Sequence, residues 1–105
     1  MDNTKGQEIS MTIIANAGEA RGLAFEALRT ARDKHDYQGA VELLKQADSY
    51  SLIAHQAQTD LLTATANGED VNVDVLLVHS QDHLMTAMLA IDLIRELVEC
   101  YKDKK

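Results

Sequence analysis

The run Val78-His79-Ser80-Gln81-Asp82-His83-Leu84-Met85 sets two imidazoles, a carboxylate and a carboxamide into an otherwise apolar stretch. Apolar segments hold such groups only where each finds a partner or a task. At helical spacing His79 and His83 are one turn apart, with Asp82 between them on a neighbouring line. Three chemistries fit. An imidazole near the start of a helix can act as a nucleophile and carry a phosphoryl group on one ring nitrogen. The other nitrogen then needs an acceptor to fix the tautomer, and the backbone N–H groups and dipole favour the added negative charge. Alternatively, His79 and His83 at i, i+4 with Asp82 match zinc-ligand spacing on a helix. Here, however, Ser80 stands where the metalloprotease pattern has Glu, and a third ligand would have to come from His55 or an acidic residue. In the third reading the histidines are satisfied polar residues at a helix interface, and the chain is a non-catalytic helical interaction module.

The elements that must position this run are helical. Thr4-Lys5-Gly6-Gln7 has the spacing of a capping box, so a first helix is expected over 5–33. Along it Ile9, Ile13, Asn16/Ala17, Ala20, Ala24, Ala27/Leu28 and Ala31 recur at steps of three and four. That face is small in volume, and Gly18 and Gly22 lie within the same helix. Each glycine costs on the order of 1 kcal/mol relative to Ala. Their presence fits either close helix packing or space cleared beside a reactive group.

Arg32-Asp33-Lys34-His35-Asp36 reads as a charged turn, with His35 solvated and Asp36 capping a second helix over 36–66. That helix carries Tyr37, Ala40/Val41, Leu44, Ala47, Ser51, Ala54/His55, Gln58, Leu61/Leu62 and Thr65 as a bundle seam, His55 and Gln58 being partnered across helices. Asn67-Gly68 supplies the stop. Val71-Asn72-Val73-Asp74-Val75 alternates like a strand but has no second strand to pair with, so it is expected as a loop. A third helix over 73–103 places Leu77, Gln81, Leu84, Met88, Ile91, Ile94/Arg95, Val98 and Tyr101 on one face, with Met85 and Met88 filling core gaps. The expected fold is all-α, an antiparallel three-helix bundle forming a single domain over 1–105.

Composition narrows the function. With one Phe, three Tyr and no Trp in 105 residues, the core is built from Leu, Ile, Val, Met and Ala, and so thin a core invites oligomerisation. The absence of Pro favours long helices. A formal charge of −7 opposes binding to nucleic acid or an anionic membrane surface and suits a basic protein partner. Cys100 is the only cysteine, which excludes an intrachain disulfide; beside Leu97, Val98 and Tyr101 it is expected as a small packing residue. No signal pattern or membrane-spanning run is present, so the cytoplasm is the expected location and no direct membrane insertion is expected.

Leu76-Leu77-Val78-His79-Ser80-Gln81-Asp82-His83-Leu84-Met85-Thr86-Ala87-Met88 closely resembles the signature of the lactose/cellobiose-type enzyme IIA of the bacterial sugar phosphotransferase system, a family that includes the diacetylchitobiose branch. Ile14-Ala15-Asn16-Ala17-Gly18-Glu19-Ala20-Arg21 and Ala54-His55-Gln56-Ala57-Gln58-Thr59 support the resemblance, which covers nearly the whole chain. Ser80 stands where many relatives have Ala. The resemblance implies a three-helix bundle assembled as a homotrimer. In it His79 would take a phosphoryl group from phospho-HPr and pass it to a cysteine of the cognate IIB protein or domain, and the sugar would be phosphorylated later, during transport through IIC. The same resemblance places Asp82 at the trimer axis, shared between subunits, where one divalent, magnesium-like ion per trimer is expected; it implies no organic cofactor. Gln81, His83 and His55 are candidate supports for the phosphoryl group or for the orientation of His79. Asn16 and Arg21 match the family motif, and helix packing accounts for them equally well.

Overall fold

The structure, a computed structural model, describes residues 2–103. It consists of α1 (Asn3–Lys34), α2 (Tyr37–Ala66) and α3 (Val75–Asp103), running up, down and up in a rod measuring 55 × 19 × 18 Å. The expected three-helix bundle is present, with no strand among the described residues.

The first helix begins earlier than its capping-box pattern implies. Asp2, not Thr4, is the N-cap, and its carboxylate accepts from the Lys5 N–H at 2.8 Å. A carboxylate at this position satisfies an orphan donor and complements the helix dipole, which favours the longer helix. Asp36 caps α2 as expected, accepting from the Gly39 N–H at 2.9 Å. His35 does more than sit in solvent. It takes a left-handed conformation at φ 53° and ends α1. Its Nδ1 lies 3.4 Å from the Tyr37 hydroxyl, which itself donates to the Tyr101 carbonyl at 2.8 Å and ties the start of α2 to the end of α3. Gly68, at φ +82°, makes the turn after α2, where an L side chain would be strained. Residues 69–74 are loop, as the missing partner strand requires.

α1 packs along both other helices, whereas α2 and α3 touch each other far less. The cause is the small-residue face of α1: Ala17, Ala20, Ala24, Ala27 and Ala31 have no exposed surface. Methyl groups let two helices approach one central helix closely and leave the far sides of α2 and α3 apart. The core falls into two clusters. One joins Ala20–Ala31 of α1 with Ala40, Leu44, Ala47, Ile91, Ile94 and Val98. The other, nearer the start of α3, joins Ile13, Ala17, Ala54, Leu61, Leu84 and Ala87, with Met88 packed against it. Met88 thus fills a core gap as expected. Met85 does not, being 55% exposed. Cys100 is exposed rather than packed, because it follows Val98 by two residues and points about 200° away from the buried line.

Gly22 is exposed, and a methyl group added there meets nothing within 4 Å. Gly22→Ala is therefore expected to stabilise the protein by about 0.5–1 kcal/mol, read as a higher urea midpoint with an unchanged slope. A lower midpoint would contradict the open position of this residue.

Candidate functional site

α3 reaches the site from a firm start. The Asp74 carboxylate accepts from the Leu77 N–H at 2.8 Å, and the Asp74 carbonyl accepts from the Val78 N–H at 3.1 Å. Asp74 is the N-cap that the strand-like alternation of residues 71–75 hides in the sequence. It also corrects one expectation. The helix begins at Val75 and His79 lies a full turn inside it, while a carboxylate already occupies the helix end. The dipole falls off within the first turn, so its contribution at His79 is small.

His79 is exposed, in a shallow, mostly apolar depression with Val75, Val78, Gln81, Asp82 and Met85. His83 is half-buried, and its ring stacks beside that of His79, with centroids 5.8 Å apart and planes at 22°. A Cβ built on Gly18 of α1 would lie 3.3 Å from His83 Nε2. Of the two glycines that fit either close packing or space beside a reactive group, Gly18 thus faces an imidazole and Gly22 does not.

Gln81 is half-buried and accepts a hydrogen bond from the Gln58 side-chain amide of α2, the clearest polar link across the helices at this level. The Gln81 amide lies 3.4 Å from Ser80 Oγ, which donates to the Leu77 carbonyl at 2.6 Å. Ser80 is fully buried and satisfied within its own turn, so a hydroxyl is accommodated at this position. Gln58 thus has the expected cross-helix partner. His55 does not: it is exposed on α2, and among the described residues no hydrogen bond joins its ring to α1 or α3. Asn16 donates to the Thr12 carbonyl at 2.8 Å, and the Arg21 guanidinium lies 5.6 Å from the centre of the Phe25 ring, so both act within α1.

Asp82 is exposed in a row of exposed apolar residues on α3, Val78, Met85, Leu89 and Leu93. Among the described residues no three His, Cys, Asp or Glu side chains converge within one chain. His79, His83 and Asp82 therefore do not converge as a single-chain zinc site, and His55 does not join them.

Residues 8–102 match the family model described as the lactose/cellobiose-specific IIA subunit of the PTS system. The chain belongs to that family. It is 40% identical over 102 residues to the PTS lactose-specific EIIA component of Staphylococcus epidermidis, covering 97% of each chain. The crystal structure of PtcA from S. mutans matches it with a TM-score of 0.94 at 40% identity, covering 98% of this chain and 100% of that one. The IIA(Chitobiose)–HPr complex of the N,N'-diacetylchitobiose branch of the Escherichia coli phosphotransferase system matches with a TM-score of 0.79 at 40% identity, covering 92% of this chain and 93% of that one. Among the described residues of this IIA subunit, no helix is long and apolar enough to cross a membrane.

Asp74→Ala removes the cap of the helix that carries His79. A loss of about 1 kcal/mol in urea unfolding is expected, with the helical circular dichroism of the folded protein kept. Unchanged stability would show that the first turn of α3 is held by other contacts.

Proposed function

We propose that this chain is a cytoplasmic phosphocarrier that takes a phosphoryl group from phospho-HPr onto His79 and delivers it to a cysteine of its IIB protein or domain. The sugar served would be of the lactose, cellobiose or chitobiose type. The observation that carries this reading is the exposure of His79 in an apolar depression, in a chain whose family and whose structural relative in complex with HPr both belong to the phosphotransferase system.

The chemistry is an in-line transfer in each half. A ring nitrogen of His79 attacks phosphorus, the N–P bond to HPr breaks, and the HPr imidazole leaves with its electron pair. In the second half a IIB thiolate attacks, an S–P bond forms, and the His79 imidazole is released unchanged. Neither half needs a redox partner, and alignment with charge stabilisation supplies most of the acceleration. A ring sunk in the core could not meet two successive partners, whereas His79 stands on the surface. The adjacent His83 ring and the Gln58–Gln81 pair would then hold its orientation and receive the phosphoryl charge. His55, exposed on α2, would contribute to partner contact rather than to the reacting atoms.

The assembly proposed is a homotrimer. The exposed row Val78, Met85, Leu89 and Leu93 is the kind of surface a small monomer rarely leaves in water. Packing this face of α3 around a three-fold axis would bring three copies of Asp82 together, and the Val78, Asp82 and Met85 wall of the depression would then border the subunit interface, with His79 at its edge. The three Asp82 carboxylates would repel one another unless protons or a cation intervene. An exposed carboxylate within an apolar row is a suitable donor for such an ion, so Asp82 from three chains would hold one divalent, magnesium-like ion, which supplies charge neutralisation at the axis.

Two expected outcomes follow. His79→Ala should keep its helical signal but take no label when incubated with enzyme I, HPr and radiolabelled phosphoenolpyruvate, and full labelling would refute the assignment. Asp82→Leu should sediment as a trimer and melt higher than the parent protein, since three converging charges become apolar contacts; dissociation to monomers would contradict the axial placement.

A further inference from the structure

We propose that Gly18 is a positioning residue for the histidine pair: its lack of a side chain gives the His83 ring room to lie against His79. The inference rests on the phosphocarrier reading of His79 and adds a residue on a different helix.

A Cβ built on Gly18 would stand 3.3 Å from His83 Nε2, closer than nine in ten real contacts of this kind. Some atom would have to yield by a few tenths of an ångström. The backbone of α3 is poorly placed to yield, because Leu84 next to His83 is fully buried and Ala87 one turn on is 1% exposed. The backbone of α1 is no freer, since Ala17 beside Gly18 has no exposed surface and packs in the same cluster. Relief must therefore come from the His83 ring, whose Nε2 meets the added Cβ and whose face stacks on His79 with centroids 5.8 Å apart. Any larger residue at position 18 would either push that ring along His79 or turn it toward solvent. Both movements change what His83 offers to a group arriving on His79.

Gly22 provides an internal control. It occupies the same helix one turn on, yet an added methyl group there meets nothing. Both Gly→Ala changes improve helix propensity, so stability and function should part company at position 18 alone.

The test compares wild type, Gly18→Ala, Gly22→Ala, His83→Ala and Gly18→Ala/His83→Ala for the rate of phosphoryl transfer from phospho-HPr, together with the imidazole carbon–proton NMR signals of His79 and His83. Gly18→Ala is expected to lower kcat about threefold to tenfold with KM for phospho-HPr nearly unchanged, because the misplacement affects alignment rather than docking. It should also shift the His83 signals without lowering the melting temperature. Gly22→Ala should match wild type in rate and signals. In the His83→Ala background the Gly18→Ala change should have no further effect, as a shared contact requires. Equal slowing in both backgrounds, or unmoved His83 signals in Gly18→Ala, would overturn the proposal. The NMR comparison needs no phosphoryl transfer, so a wild-type protein that failed to label would count against the phosphocarrier reading while position 18 was still judged by the His83 signals.

Discussion

The close approach of two helices to the alanine face of α1 is the constraint on which the rest of the structure depends. Five α1 alanines, from Ala17 to Ala31, are fully buried. With side chains this small, α1 serves as the spine, and α2 and α3 each lie against it rather than against each other. A core made this way is narrow. It uses little apolar volume in the centre and leaves long aliphatic side chains of α2 and α3 outside, Leu52, Leu62, Leu89 and Leu93 among them. The same packing that makes the single chain slender thus provides it with surface suited to further association.

The site follows from that geometry. α3 is buried on one line only, through Leu84, Ala87, Ile91, Ile94 and Val98, so the line carrying His79 and Asp82 faces outward. His83 falls between the two lines: its ring stacks on that of His79, and its Nε2 lies 3.3 Å from where a Cβ at Gly18 of α1 would stand. Gln81 is fixed from α2 through Gln58. One helix therefore presents the His79 ring, and the other two contact its neighbours, α2 through Gln58 and α1 at Gly18. The phosphocarrier proposed above, meeting a donor and then an acceptor, would need this combination: an accessible imidazole on a rigid element, with its surroundings ordered from behind.

Much of this was legible in the sequence. The steps of three and four from Ile13 to Ala31 gave the buried face of α1, and Asp36 and Gly68 punctuated the helices where local chemistry requires. His79 stood out because imidazoles are unusual in an apolar run, and it lies exposed in a shallow depression. What escaped depended on competition or on three dimensions. Asp2 caps α1 in preference to the Thr4 pattern, since either signal alone is plausible and only one can act. Asp74 was concealed by alternation with Val71, Val73 and Val75. Met85 and Cys100 were assigned to the interior from apolar neighbours in sequence, although helical geometry turns both outward. The approach of Gly18 to His83 joins residues on different helices, and no local pattern encodes it.

The central claim is that a single imidazole on an outward-facing helix holds phosphorus between two partners. The most direct measurement is a nitrogen–phosphorus coupling experiment on the uniformly nitrogen-15-labelled wild-type protein after incubation with phosphoenolpyruvate, enzyme I and HPr. The account predicts one phosphoramidate per chain, coupled to a ring nitrogen of His79 and discharged on addition of the IIB acceptor. A phosphoryl group on His83, His55 or His35, or a protein that stays unmodified beside a fully charged donor, would contradict it.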